Sequence, residues 1–319
     1  MSDKKVIAVV GATGAQGGGL VRAIMADPDG GFTARALTRD PSSEAAQALA
    51  ALGAEVVQVD IDDAASVRSA FEGAYGAFCV TFFWAHFSPA TEQAQVENMI
   101  AAATAGGLRH VIWSTLEDTR ELVPLEDDRM PTLQDAWKVP HFDSKGSINH
   151  LFTDAGLPTT FLQTAFYWEN FIYFGMGPQR GEDGALSVTF PLGGAKMPSM
   201  GAEDIGKAAY GVFKGGEQFI GTTVSISSDH LGGADFAAGF AQALGEDVSY
   251  NEVSPDAYRG FGFPGADDLG NMFQYKRDFE SEYRSPRDVD ATRALNPELQ
   301  TFEQWLADNI ERVPVPPKT

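Results

Sequence analysis

His141 and Lys145 stand four residues apart in VPHFDSKGSINHLFTDAG, a segment that reads as a helix. Pro140 suits a first helical turn, and Gly156 suits an end. His141, Lys145, Ile148 and Phe152 follow one another at intervals of four, three and four, so they share one face. Ile148 and Phe152 belong in a core. Lys145 and His141 then point inward, where an ammonium is costly unless it finds a partner. A sugar hydroxyl and a substrate oxygen are natural partners. Lys145 is therefore a candidate to orient a bound group and to favour negative charge on a reacting oxygen. His141 is a candidate proton donor, with a satisfied structural histidine as the alternative. Tyr167, in FYWENFIYF at residues 166–174, is a second candidate proton donor, although aromatic runs more often build cores.

A second constellation lies near the start. GATGAQGGG, residues 11–19, follows the apolar run at 6–10. Gly11, Gly14 and Gly17 are spaced so that the first permits a tight turn out of a strand. The second lets a diphosphate approach bare main chain, and the third lets a helix pack closely. The start of that helix offers unpaired amides and a positive dipole end. A dinucleotide is the ligand this pattern expects. The next strand ends in RALTRDP, where an acidic residue would suit a ribose hydroxyl. Arg39 stands there instead. Its guanidinium suits a phosphate on the adenosine, which favours NADP(H), with NAD(H) as the alternative. Asp60, ending VVQVD, either lies near adenine with Ile61 or caps the following helix together with Asp62 or Asp63.

These groups need a frame. Strand-like runs at 6–10, 32–37, 55–59, 76–83 and 110–114 alternate with helix-like runs at 17–25, 43–52, 64–71 and 90–105. Continuous apolar strands separated by helices predict a parallel sheet covered on both faces. Ligands bind such sheets at the carboxyl ends of the strands. Ser114 and Thr115 end one of those strands, where a hydroxyl can meet cofactor or substrate. The rhythm breaks from about residue 116. Residues 116–140 are long, acidic and rich in proline, as expected of a lid or binding loop. A strand at 159–164 follows. The later chain is irregular and aromatic, and it reads as a smaller lobe across the strand ends. Segments near 195–227 return to the sheet. The division expected is residues 1–165 for the cofactor and 166–319 for substrate or partner.

Composition narrows the function. The chain has 319 residues, 44% of them hydrophobic, and a net charge of −21. That charge repels phosphate backbones and argues against nucleic acid as a partner. No run is long and apolar enough for a membrane span or a leader peptide, so a cytoplasmic protein is expected. Cys79 is the only cysteine and sits in an apolar run, which leaves no disulfide. No spacing of His, Asp and Glu suggests a metal.

Together GATGAQGG, VTFFW, VIWSTLED, HFDSKG, FYWENF, GFPGADDLGNMF and LNPELQTFEQWL resemble the NmrA-like family of atypical short-chain dehydrogenases/reductases. The resemblance runs nearly end to end. It implies an α/β fold, a doubly wound parallel sheet of Rossmann type with a smaller discontinuous C-terminal lobe. It implies NADP(H) held by Gly11, Thr13, Gly14, Ala15, Gln16 and Gly17, with Arg39 on the adenosine phosphate. Thr81, Phe82 and Thr115 would line the cofactor, Lys145 would hold its nicotinamide ribose, and Phe166, Tyr167 and Asn170 would lie beside the ring. The wider superfamily carries Tyr-x-x-x-Lys where this chain has His141 and Lys145. The chain also has Ser-Ser-Glu after Arg39, where relatives carry a second basic residue.

Two functions follow as expectations. One is hydride transfer from NAD(P)H to a hydrophobic aromatic acceptor such as a quinone or ketone, with Phe83, Trp84 and Trp168 against the substrate. The other is a non-catalytic sensor of NADP(H), acting through a protein partner or a homodimer.

Overall fold

The computed structural model describes residues 4–317. Five strands alternating with four helices build the first half. They are β1 Lys5–Val9, α1 Ala15–Ala26, β2 Phe32–Thr38, α2 Glu44–Ala51, β3 Glu55–Gln58, α3 Ala64–Phe71, β4 Gly76–Cys79, α4 Pro89–Gly106 and β5 His110–Thr115. After a long connection come α5 Pro140–Gly146, α6 Asn149–Asp154 and β6 Thr159–Gln163. The late strand Thr223–Ser225 completes a seven-stranded sheet. Its order is Thr223–Ser225, β6, β5, β4, β1, β2, β3, and every pairing is parallel. Strand order reverses between β1 and β4, which opens a crevice at their carboxyl ends.

Alternation along β1 feeds two cores. Ile7 and Val9 join Leu20, Val21 and Ile24 of α1 with Ile205, Ala209 and Val212 of the helix Ala202–Gly215. Ala8 and Val10 face the other way, toward Val67, Phe71, Val96, Met99 and Phe152. Both faces are thus buried, as a fully parallel sheet requires.

A third core belongs to the C-terminal region. Trp168, Phe171, Phe190, Phe236, Phe273, Phe302 and Trp305 are buried together. Two small sheets flank them. One has the order Asp229–Leu231, Met197–Met200, Phe166–Tyr167; the other has Val248–Glu252, Leu186–Phe190, Gln179–Arg180.

Several elements differ from expectation. The strand expected to run to residue 83 stops at Cys79, and Phe83–Ala85 form a single turn of tight helix. The apolar VTFF that follows Cys79 lines a cavity instead of continuing the ladder. The helix expected across 139–156 is broken into α5 and α6. At the break the backbone of Glu117 and Asp118 crosses so close that a Cβ on Gly146 would sit 2.3 Å from the amide nitrogen of Asp118. Residues 197–200 pair within the smaller region, and only 202–215 and 223–225 return to the large sheet.

The expected lid is pinned down. The Asp143 carboxylate accepts bonds from the amides of Thr119, Lys138 and Val139 and from the Thr119 hydroxyl, at 2.6–2.9 Å. Lys138 is buried and donates to the carbonyls of Asp127 and Met130. Asn271 and Gln274, on the helix Ala266–Asp278, bind carbonyls of the same segment.

Candidate functional site

The turn after β1 is made by glycine because side chains do not fit. Gly11 has φ +65°, a left-handed conformation that favours glycine. A Cβ on Gly17 would lie 2.4 Å from the Gly11 carbonyl oxygen. Gly14 caps α1 with no side-chain hydrogen bond, and the first turn holds no acidic residue. Thr13, Gly14 and Ala15 are exposed. The first-turn amides, including those of Ala15 and Gln16, have no carbonyl four residues back inside the helix. The result is an open, positively polarised stretch of main chain, of the kind that can hold a phosphate group.

Gly19 has a different duty. A Cβ there would lie 2.4 Å from the Glu203 carbonyl oxygen, and one on Gly206 would lie 2.1 Å from the Leu20 nitrogen. The run of glycines therefore divides between the loop and a backbone contact with the helix Ala202–Gly215.

Arg39 leaves the end of β2 into solvent, and among the described residues its guanidinium has no partner. The neighbouring Asp40 is committed to its own turn. It accepts from the Ser42 hydroxyl at 2.6 Å and the Ser42 amide at 2.9 Å, which hold its carboxyl below the ordinary range. Asp60 is exposed and accepts from the Asp62 amide, while Asp63 caps α3. Ile61 is half-buried, and its carbonyl accepts from Asn98.

Beyond the loop a cavity of about 250 Å³ opens at the carboxyl ends of β4, β5 and β6. An apolar cavity of about 150 Å³ already takes up benzene, so there is room for more than one ring. Gln16 joins the loop to this cavity. It accepts from the Ser114 hydroxyl at 2.8 Å and donates to the Tyr167 hydroxyl at 2.7 Å. Thr81, Phe82, Phe83, Trp84, Thr115, His141, Lys145, Phe166, Tyr167 and Asn170 line the walls. Phe82 is 58% exposed, whereas Phe83 is buried. Thr115 donates to Asn149.

Lys145 points inward as its helical phase requires, but the protein already supplies it a partner. Its ammonium lies 2.7 Å from a Glu92 oxygen and also donates to the Thr81 hydroxyl and carbonyl. Glu92 is completely buried and accepts as well from Thr81 and Ser144. Burial pushes its carboxyl up, but the Lys145 charge and these hydrogen bonds prevail and hold it below the usual carboxylate range.

His141 is clamped from the other lobe. Its Nδ1 lies 2.7 Å from Asp268 Oδ1, and its amide donates to Oδ2. The Trp84 ring lies 4.6 Å away, centre to centre. Tyr167 is held between Gln16 and Thr164, and burial pushes its phenol up to about 12.

Trp168 does not reach the cavity. It is fully buried against Phe302 and Trp305. Its ring is taken up by the aromatic core of the C-terminal region, just past the end of the strand Phe166–Tyr167. The reading of Trp168 as a substrate contact is corrected accordingly. Gly11, Thr13, Gly14, Ala15, Gly17, Arg39, Asp60 and Ile61 stand outside the cavity, along the loop and the ends of β2 and β3.

Three residues escaped the sequence reading. Glu92 shares a helix face with Val96, Met99 and Ala103, all buried, so an acid on an apolar stripe was the available signal. Asp268 and Lys276 share a face with buried Met272 in the same way. Among the described residues, no group of three or more His, Cys, Asp or Glu is placed to hold a metal ion, and no helix is long and apolar enough to cross a membrane. Cys79 is buried, and burial pushes its thiol up to about 12.

Comparison with known proteins agrees with this geometry. The oxidoreductase FrzB of Cladobotryum sp, named for an NmrA-like family domain, is 29% identical over 309 residues, covering 91% of this chain and 89% of that one. The crystal structure of NmrA, a negative transcriptional regulator, in complex with NADP superposes with a TM-score of 0.76 at 23% identity, covering 98% and 97% of the two chains. The triphenylmethane reductase of Citrobacter sp., complexed with NADP(H), gives 0.71 at 20% identity over 95% and 99%. The likeness to both structures is one of fold. The model of the NmrA-like family matches residues 3–306, nearly the whole chain, and the protein belongs to that family.

Proposed function

We propose that this protein is an NAD(P)H-dependent oxidoreductase whose acceptor is a flat aromatic compound, a quinone or an aromatic ketone. The observation that carries the reading is the junction at Gln16, where a bare-backbone phosphate seat meets a cavity walled by Phe82, Phe83, Trp84 and Phe166. The oxidoreductase names of relatives such as FrzB, and the NADP(H) bound to the dye reductase of similar fold, support it.

The bound nicotinamide cofactor supplies the hydride; the remaining work falls to the chain. Main chain at Gly11, Thr13, Gly14, Ala15, Gln16 and Gly17 holds the diphosphate. Arg39, free of partners, takes the adenosine phosphate, so NADP(H) is preferred over NAD(H). Asp60 and Ile61 flank the adenosine. Thr81, Phe82, Thr115, Phe166 and Asn170 surround the nicotinamide end, and Lys145 orients its ribose. Residues 1–165, with the returns near 195–227, form the cofactor unit, and the rest forms the substrate lobe.

A hydride delivered to the acceptor must be matched by one proton on its oxygen, giving the hydroquinone or the alcohol. His141 provides that proton. Asp268 fixes the Nδ1 hydrogen and leaves Nε2 for the acceptor. Tyr167 retains its own proton at neutral pH and positions Gln16. Phe83 and Trp84 exclude water from the acceptor. A reducing cytoplasm suits a protein with a lone buried thiol.

One observation favours a second reading, a non-catalytic NADP(H) sensor: the Lys145 ammonium is already matched by Glu92. Loss of NADPH absorbance against a panel of quinones and aromatic ketones separates the two. Turnover is expected with at least one quinone. Tight NADPH binding with no turnover on any acceptor would establish the sensor.

A further inference from the structure

The basic groups around the cavity have fixed partners, with one exception. Lys145 pairs with Glu92 and His141 with Asp268, each at 2.7 Å. Arg287, wholly buried behind them, pairs with Glu117 at 2.5 Å. Lys276 is 2% exposed and lines the cavity from the helix Ala266–Asp278. Among the described residues, no carboxylate and no hydrogen-bond acceptor meets its ammonium. It stands instead over the rings of Phe142, Phe166 and Tyr283, at 5.2–5.6 Å from their centres. Ring faces replace only part of the hydration an ammonium loses on burial. Lys276, Arg287 and Glu117 together leave one positive charge unmatched in this wall.

We infer that Lys276 is the seat of an anionic oxygen on the substrate, a carboxylate or an ionised phenol or enol carried by the aromatic acceptor. The inference rests on reading the cavity as the substrate site, and it names the substrate class. An incoming oxyanion supplies the counter-charge the fold withholds, in a water-poor setting where a charge-assisted hydrogen bond is strong. The aromatic box holds the planar remainder. The overall negative charge of the protein opposes the approach of an anion, so this recognition acts through contact once bound and not through long-range steering.

Titration gives the site a signature. Burial, and then the Arg287 charge, bring the amine down to about 7, with Glu117 opposing. Tyr283 and Tyr275 pack beside it, and His141 and Lys145 on the facing helix α5 line the same cavity, as does Tyr167. The lysine must be protonated to hold the anion, so affinity falls as pH rises through that value.

The test is calorimetric binding of naphthoate and of its neutral amide to the NADP(H)-loaded protein, which requires no turnover. Naphthoate should bind roughly tenfold or more tightly than naphthamide. Lys276→Met and Lys276→Gln, checked for native melting, should erase that preference while leaving naphthamide unchanged. In the unaltered protein the preference should fade between about pH 6 and about pH 9. Equal binding of the two ligands, a preference that survives in a folded variant, or a preference indifferent to pH would overturn the proposal. A Lys276-dependent preference in a protein that turns over no acceptor would leave this inference standing and refute the oxidoreductase reading.

Discussion

The two walls of the cavity are built on opposite principles. On the sheet side, side chains are left out: Gly11, Gly14 and Gly17 expose main chain just outside the cavity, and the polar groups of the wall are joined by short bonds through Gln16, Ser114 and Tyr167. On the lobe side, space is filled: Phe263, Leu269 and Met272 crowd the opening, Lys276 brings a charge to the lining, and Asp268 stands behind His141. The sheet wall suits a ligand that never varies, since its backbone donors cannot be retuned by substitution. The lobe wall suits the variable half of a reaction, because each ring can be exchanged without disturbing the sheet. α5 belongs to both, with Lys145 bonded into the sheet half and His141 bonded to the lobe.

That contrast can be broken, and Lys145→Ala is the strongest blow. It should lower quinone turnover by roughly 100-fold. It also strands the buried Glu92 carboxylate, destabilising the fold by about 3 kcal/mol. Glu92→Gln in the same chain should recover most of the melting temperature and none of the turnover. Unchanged steady-state rates in Lys145→Ala would remove the sheet wall from the chemistry.

Asp268→Asn probes the lobe wall and should do less, lowering kcat about tenfold to 100-fold while leaving NADPH affinity intact. Asp268 acts through His141, so rescue by a retained carboxylate is the discriminating readout. Asp268→Glu should recover part of the lost kcat without changing NADPH affinity. Equal losses in Asp268→Asn and Asp268→Glu would reduce Asp268 to packing.

Arg39→Ala should have the mildest effect, weakening NADPH roughly tenfold and NADH less than about twofold in equilibrium titrations. Equal weakening of both cofactors would mean that the end of β2 does not read the phosphate.

What the sequence disclosed follows the same division. β1, the glycine loop and α1 are contiguous, so spacing alone described them. Lys145 and His141 were legible because Ile148 and Phe152 fix the phase of their face, even though the helix breaks between the pairs. Glu92, Asp268 and Lys276 were illegible for the converse reason. Each is a charged residue on a buried stripe, and its partner or its lack of one is decided by a segment far away in the chain. The apolar VTFF misled in a related way, since a cavity lining and a buried strand demand the same residue types. Residues 116–140 have the composition of a lid, but Asp143, Asn271 and Gln274 supply the fixed bonds that composition cannot show.

The meeting of Gly19 with Glu203 and of Gly206 with Leu20 draws a boundary for anyone who would re-engineer the molecule. At this seam two helices touch main chain to main chain, so even a single methyl wedges them apart and tilts α1 together with the glycine loop at its tip. A library that varies Arg39 or Phe82 explores solvent and leaves the scaffold alone; one that admits alanine at 19 or 206 is sampling broken proteins.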